Sequence, residues 1–256
     1  MKSRWTARLG LGLLVTAPLA GVLIRGLPTA FFEFPPLTPY IVHAPFSMPV
    51  TLLFAVAGLL SGFLLIKPGT KPVEARVTHD PRSVPPWGIF GLLLNGTAWI
   101  FAWGRFEWLG PFREHMFFPL WLGYILVIDA LVYRRRGQSL LSRSPRTFAA
   151  LFPASAVCWW YFEYLNRFVQ NWWYEGVAHF TATHYAIFAT LCFSTVLPAI
   201  FENRDLLLSF RWFQNLNRPA QTNRRVPYGL HLALAVAGTA GLFLMAIFPN
   251  PLFFFL

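Results

Sequence analysis

Seven apolar runs follow one another along this chain, at about residues 9–24, 48–66, 87–109, 117–133, 147–165, 184–201 and 226–248. A soluble domain has one core to fill and carries about a quarter charged residues. This chain of 256 residues is 56% hydrophobic, 18% aromatic and only 12% charged. Apolar segments of this number suit lipid as the solvent, where about 20 apolar residues in a helix cross the hydrocarbon. The expected fold is all-α: a polytopic transmembrane bundle of about seven spans, with residues 1–256 forming a single integral membrane domain. The expected location is the cell (inner or plasma) membrane, and the expected partners are membrane lipids.

The segments between the runs set an orientation. The N-terminus and the segments after the second, fourth and sixth runs hold 17 of the 21 Lys and Arg residues. The other side holds only Arg25, Arg105, Arg113 and Arg167. Such a bias puts the N-terminus in the cytoplasm and the C-terminus outside. The first run has the basic flank of a signal peptide but no small-x-small cleavage pair, so it reads as a retained helix, kinked at Pro18, with Arg25 snorkelling to the interface. Prolines in the Phe- and Tyr-rich segment Gly26–Ser47 argue against a regular helix there, and its aromatics fit the membrane interface. The final Pro249-Asn250-Pro251 breaks the last helix. The run Leu252–Leu256 then reads either as lying on the outer interface or as an unfinished segment. The net charge of +11 does not point to nucleic acid, because the basic residues sit in short loops and form no groove-reading face. Cys158 and Cys192 lie inside apolar runs and are expected as buried free thiols.

One motif occurs twice. Trp103-Gly104-Arg105-Phe106-Glu107-Trp108-Leu109 is echoed about 56 residues later by Trp159-Trp160-Tyr161-Phe162-Glu163-Tyr164-Leu165. Both copies sit near the outer ends of runs with the same direction, so they describe a parallel internal repeat of spans 3–4 and 5–6. A chance match in an aromatic-rich chain is the other reading. If the repeat is real, Glu107 and Glu163 are equivalent, and two nearby carboxyls in a low dielectric can divide into acid and base. Alternatively, Glu163 pairs with Arg167, four residues on in the favourable order.

The second copy extends into a polar stripe. Glu163, Asn166, Arg167, Gln170, Asn171 and Tyr174 recur at helical spacing, beside an apolar face of Tyr161, Leu165, Phe168 and Trp172. The stripe predicts that the fifth helix continues past the hydrocarbon. There it either forms the wall of an outward-opening ligand pocket or packs against the outer loops. Glu163 and Glu107 are the candidate catalytic pair. Asn166, Arg167, Gln170, Asn171, Tyr174, Trp159 and Trp103 are the candidate substrate contacts.

Other residues carry less. Asp129 either pairs with Arg134 or a neighbouring loop, or serves as a proton-relay carboxylate. Asn95 is expected to hydrogen-bond between helices. His179, His184, Glu175, His115 and His43 lack the spacing of a zinc helix, so no metal is expected. No Gly-rich phosphate loop, Gly-x-Ser-x-Gly or paired-cysteine motif is present, and no cofactor is expected.

The stretch from His115 to Tyr174, including Met116-Phe117-Phe118-Pro119-Leu120-Trp121, Asp129 and Phe162-Glu163-Tyr164-Leu165-Asn166-Arg167-Phe168-Val169-Gln170-Asn171-Trp172, resembles a set of uncharacterised bacterial multi-pass membrane proteins. The resemblance implies a multi-pass fold and a longer chain with a further aromatic-Glu-x-x-Asn helix, and it supplies no catalytic residue. A looser likeness is to small membrane carotenoid cyclases, whose Pro-Glu-Glu pattern is absent here. The expected function is a membrane-embedded enzyme or binder of a lipid-like, isoprenoid-type molecule. The alternatives are a proton-coupled small-molecule carrier and a non-catalytic membrane component or assembly partner.

Overall fold

The computed structural model of the chain describes residues 2–43, 45–65, 83–210, 213 and 228–248. All regular structure among them is helical. The longer helices are α1 (Lys2–Arg25), α2 (Met48–Leu65), α3 (Pro86–Trp103), α4 (Phe117–Arg136), α5 (Pro145–Val169), α6 (Ala182–Phe193), α7 (Val196–Leu207) and α8 (Tyr228–Ile247). Between them lie 3-10 turns at Thr29–Phe32 and Glu107–Leu109 and one-turn helices at Gly110–Arg113 and Leu140–Arg143. The basic segment 67–82, the basic segment 211–225 apart from Phe213, the run 249–256 and the Arg25 side chain lie outside the described residues.

Several helices end where the sequence did not announce it. The third apolar run was expected to stay helical to Leu109, yet α3 stops at Trp103 and Gly104 is extended. A Cβ on Gly104 would fall 2.6 Å from the Ile100 carbonyl oxygen and 2.7 Å from Leu109 Cδ1. Only glycine lets the chain double back so closely and bury Leu109. The two motif copies therefore differ in backbone: the second is continuous helix, whereas the first is broken before Glu107. Gly110 and Pro111 then start a one-turn helix.

The helix α4 extends through Arg134-Arg135-Arg136, whose charges suit the negative end of the helix dipole. Gly137, left-handed at φ 76°, ends it and donates its N–H to the Tyr133 carbonyl at 2.7 Å. Arg135 donates to Ser209 Oγ at 2.7 Å and Arg136 to the Leu208 carbonyl, supplying donors just beyond the C-terminus of α7.

The sixth run, expected as one span over 184–201, is two helices parted at Ser194–Thr195. Buried Ser155 of α5 bridges the break. Its hydroxyl donates to the Phe193 carbonyl at 2.6 Å and accepts from the Leu197 N–H at 3.0 Å. Pro198 in the first turn of α7 needs no acceptor, so the break leaves fewer backbone groups to satisfy.

The chain divides into two compact units. Met1–Pro45, Tyr161–Tyr185 and Thr222–Leu256 form the first. There α1 packs on α8 so closely that a Cβ on Gly21 would sit 2.5 Å from the Phe243 carbonyl oxygen. Its core holds Leu165, Phe168, Val169, Met245 and Ala246. Phe46–Trp160 and Ala186–Gln221 form the second unit, with a core of Ile125, Leu140, Phe148 and Ala199. In this unit α3 lies on α4 through Gly88, Gly91 and Gly123. Asn95 Nδ2 donates to the Leu120 carbonyl at 2.8 Å, the interhelical bond expected of it.

Among the described residues two stretches, Phe117–Arg136 and Ala182–Leu207, are long and apolar enough to cross a membrane. Shorter apolar helices span Gly12–Ile24, Met48–Phe63 and Leu232–Ile247. Every residue from Met48 to Phe63 is exposed except Gly62, which is half-buried. Cys158, expected to be buried, is also exposed, and both cysteines are free.

Close glycine contact predicts an asymmetric mutational response. A Cβ on Gly123 would meet the Asn95 backbone nitrogen at 2.6 Å and the Gly91 carbonyl oxygen at 2.8 Å, whereas Gly96 has nothing within 4 Å. Gly123→Ala is expected to cost about 1–3 kcal/mol by overpacking. Gly96→Ala should be neutral or slightly stabilising. Unfolding in graded SDS from mild detergent measures both, and equal stability of the two variants would refute the close packing of α3 on α4.

Candidate functional site

The C-terminal end of α5 carries the polar stripe, but the helix does not run to Tyr174 as expected. It stops at Val169, and Gln170 turns left-handed at φ 44°. The cause is local. Asn166 Oδ1 accepts from the backbone N–H of Asn171 at 2.8 Å and of Trp172 at 3.4 Å. Its Nδ2 donates to the Trp172 carbonyl at 2.7 Å. One buried carboxamide thus replaces the helical partners that those backbone groups lose.

Gln170 then holds a second segment. Its Oε1 accepts from the N–H of Tyr40 at 2.7 Å and of Ile41 at 2.9 Å, and its Nε2 donates to the Thr38 carbonyl at 3.1 Å. The Tyr40 hydroxyl donates to the Arg167 carbonyl, and His43 Nε2 lies 2.9 Å from the Gln170 carbonyl oxygen. Three prolines, Pro35, Pro36 and Pro39, keep the 35–40 segment non-helical, so its few N–H groups need outside acceptors.

Glu163 is buried. Its Oε1 accepts from the Trp172 indole N–H at 2.9 Å and the Tyr174 hydroxyl at 2.6 Å. The expected Glu163–Arg167 ion pair is not among the described ion pairs. Arg167 reaches instead to the Glu33 carbonyl through Nη2 and lies 5.9 Å from the centre of the Phe31 ring. Hydrogen bonds from Thr38, whose N–H lies 2.8 Å from Oε2, hold the Glu33 carboxyl below the usual carboxylate range, with Arg167 adding a smaller pull.

Six of the sequence-predicted residues are therefore brought together in the first unit: Glu163, Asn166, Arg167, Gln170, Asn171 and Tyr174. The remaining three belong to the second unit. Glu107 is exposed at the start of its 3-10 turn. Trp103 is exposed, its ring 6.0 Å from that of Trp99, and half-buried Trp159 lies 5.9 Å from the Phe193 ring. His115 Nδ1 is 3.9 Å from Glu114, and the Phe180 ring is met edge-on by His179 and at a tilt by His184. Among the described residues no three His, Cys, Asp or Glu side chains are placed to hold a metal.

Beside Arg167 is a narrow, partly open crevice with about 20 Å³ of enclosed room. Val22, Leu27, Phe31, Ile41, Phe168 and Ala246 make its walls apolar, and Tyr40 and Arg167 supply its polar end. Arg167 Nη1 is buried and meets no acceptor among the described residues. A guanidinium N–H out of water and without an acceptor is costly, and an anionic oxygen is its natural complement.

Sequence reasoning missed Glu33, Thr38 and Tyr40, whose signal was the proline-rich segment's need for acceptors. It also placed Glu202 in a basic loop, whereas Glu202 sits on α7 and is fully buried. Asp129 does meet the neighbouring loop: Leu141 N–H donates to Oδ2 at 2.9 Å and Ser139 Oγ to Oδ1 at 2.7 Å. The Trp87 indole adds a third donor at 2.9 Å, and Arg134 is not among these partners. Comparison with protein-family models, curated proteins and solved structures found no match.

The carboxamide latch predicts that Gln170→Ala frees the Thr38–Ile41 backbone while the Asn166 contacts persist. Losing the one oxygen that accepts from both backbone N–H groups should cost about 1–3 kcal/mol locally. Hydrogen exchange at Tyr40 and Ile41 should accelerate at least tenfold. Unchanged exchange there would show that the segment is held by something else.

Proposed function

We propose that the protein is a multi-pass protein of the cell (inner) membrane that binds a lipid-like, isoprenoid-type amphiphile with an acidic head group at the end of α5. Membrane residence is supported by the two stretches able to span a bilayer and by the apolar surface of α2. Leu59 and Phe63 are 75% and 77% exposed, and the helix has neither a polar face nor a covered one. In this reading the seven apolar runs are seven spans, the N-terminus is cytoplasmic and the α5 end faces outward. The bacterial multi-pass set resembled by His115–Tyr174 fits the same arrangement.

The observation that carries the ligand is the uncompensated Arg167 Nη1 beside an apolar crevice. An apolar wall with a single cationic donor suits a molecule that is apolar along its length and acidic at one end. The enclosed room of the crevice is only about 20 Å³, far below the ~300–1,000 Å³ of a pocket that swallows a whole ligand. It would seat one acidic oxygen of the head group against Arg167 and leave the rest of the molecule outside, along the apolar rim.

Glu163 acts here as a positioning residue that fixes Trp172 and Tyr174. Acid–base chemistry at Glu163 would start from Oε2, because Oε1 is already shared by two donors. The carboxamides of Asn166 and Gln170 hold the surrounding segments.

Mass spectrometry of molecules co-purifying in mild detergent tests the reading with Arg167→Gln and, as control, Arg113→Gln. The wild type and the Arg113 variant should retain a discrete acidic amphiphile, and a folded Arg167→Gln protein should retain at least tenfold less. Bulk phospholipid in equal proportion in all three would remove the proposal.

A further inference from the structure

Glu202 presents a second, independent problem in the other unit. Its side chain is fully buried on α7, and neither carboxyl oxygen meets a donor among the described residues. Its electrostatic neighbours are Asp129 from α4, Asp205 from its own helix, and Arg143 from the Leu140–Arg143 turn. Arg143 is engaged with Asp205, 3.7 Å away, and Arg204 with the same carboxyl at 3.0 Å. Arg135 and Arg136 hydrogen-bond to Ser209 and Leu208. The basic groups around Glu202 thus have other partners.

Asp129 is in the opposite position. Also fully buried, it accepts three hydrogen bonds, from Trp87, Ser139 and Leu141. Both oxygens of Asp129 are thus supplied with donors, whereas those of Glu202 are not. Two ionised carboxylates cannot share a buried site cheaply. A proton on the carboxyl that lacks donors lowers that cost and turns it into a donor itself. The same proton gives Glu202 the hydrogen bond that its oxygens otherwise lack.

We propose that Asp129 and Glu202 form a proton-binding carboxyl pair on α4 and α7 that holds one proton, seated on the Glu202 side, where the donors are missing. The ligand of this site is the proton, and its coordination consists of the two carboxyls backed by Trp87, Ser139 and the Leu141 amide. No metal-holding trio exists among the described residues, which favours a proton over a metal cation. The inference does not depend on amphiphile binding at Arg167.

Infrared difference spectroscopy of the full chain in lipid nanodiscs tests this directly, because a protonated carboxyl has a C=O band distinct from carboxylate and amide bands. The wild type should show such a band at neutral pH, Glu202→Gln should lose it, and Asp129→Asn should shift it or move its titration. Should Glu202→Gln fail to fold, Ser139→Ala serves instead. Removing one donor from Asp129 should shift the band and its midpoint without abolishing it. No protonated-carboxyl band at neutral pH in the wild type would overturn the proposal. So would a band untouched by both Glu202→Gln and Ser139→Ala, or one displaced by sodium or magnesium at constant pH.

Discussion

A backbone amide that cannot reach water must find its partner inside the protein, and that constraint organises this chain. At several interruptions a side chain takes up the backbone groups that the helix leaves. Asn166 closes the end of α5, Gln170 holds the non-helical Tyr40–Ile41 segment, Ser155 bridges the gap at Ser194–Thr195, and Asp129 accepts the Leu141 amide. Most of these side chains are short or rigid and lie on α4 and α5. Irregular segments are thereby tied to long helices, and the positions of Glu163 and Arg167 follow from those ties.

The sequence displayed the helices more clearly than their interruptions. Apolar runs located α2, α4 and α8 closely, because hydrophobic length is written directly in composition. The break at Gly104 depends on how near Leu109 folds back, and no local pattern encodes that distance. The break at Ser194–Thr195 depends on Ser155, 39 residues earlier, and was equally hidden. The polar stripe was correctly grouped at one place. Its helical period then failed at Gln170, because the Asn166 carboxamide competes with the helix for the amides of Asn171 and Trp172. The i, i+4 spacing suggested a Glu163–Arg167 pair, yet the flexible arginine reaches Glu33 while Trp172 and Tyr174 occupy the glutamate. Glu202 was missed since it follows an apolar run and precedes a basic one, which makes it look like the start of a loop.

The two buried charged features differ in kind. Among the described residues Arg167 keeps a donor with no acceptor, beside an apolar crevice, and Glu202 keeps acceptors with no donor, beside another carboxyl. Each is the residue that a purely structural role would have satisfied, as Glu163 and Asp129 are satisfied. Asn171 Oδ1 is a third buried group without a partner among the described residues, but it is neutral, so it carries less of a penalty than either charged group.

Everything rests on the exposed apolar helices facing lipid, and Cys158 reports on that directly because it is exposed on α5. In a Cys192→Ala background, a membrane-impermeant maleimide should leave Cys158 unlabelled in sealed vesicles of either orientation and label it fully after SDS. The protein should also stay with the membrane through alkaline extraction. Ready labelling in intact vesicles, or release by alkali, would mean that water covers these surfaces and would contradict the membrane fold.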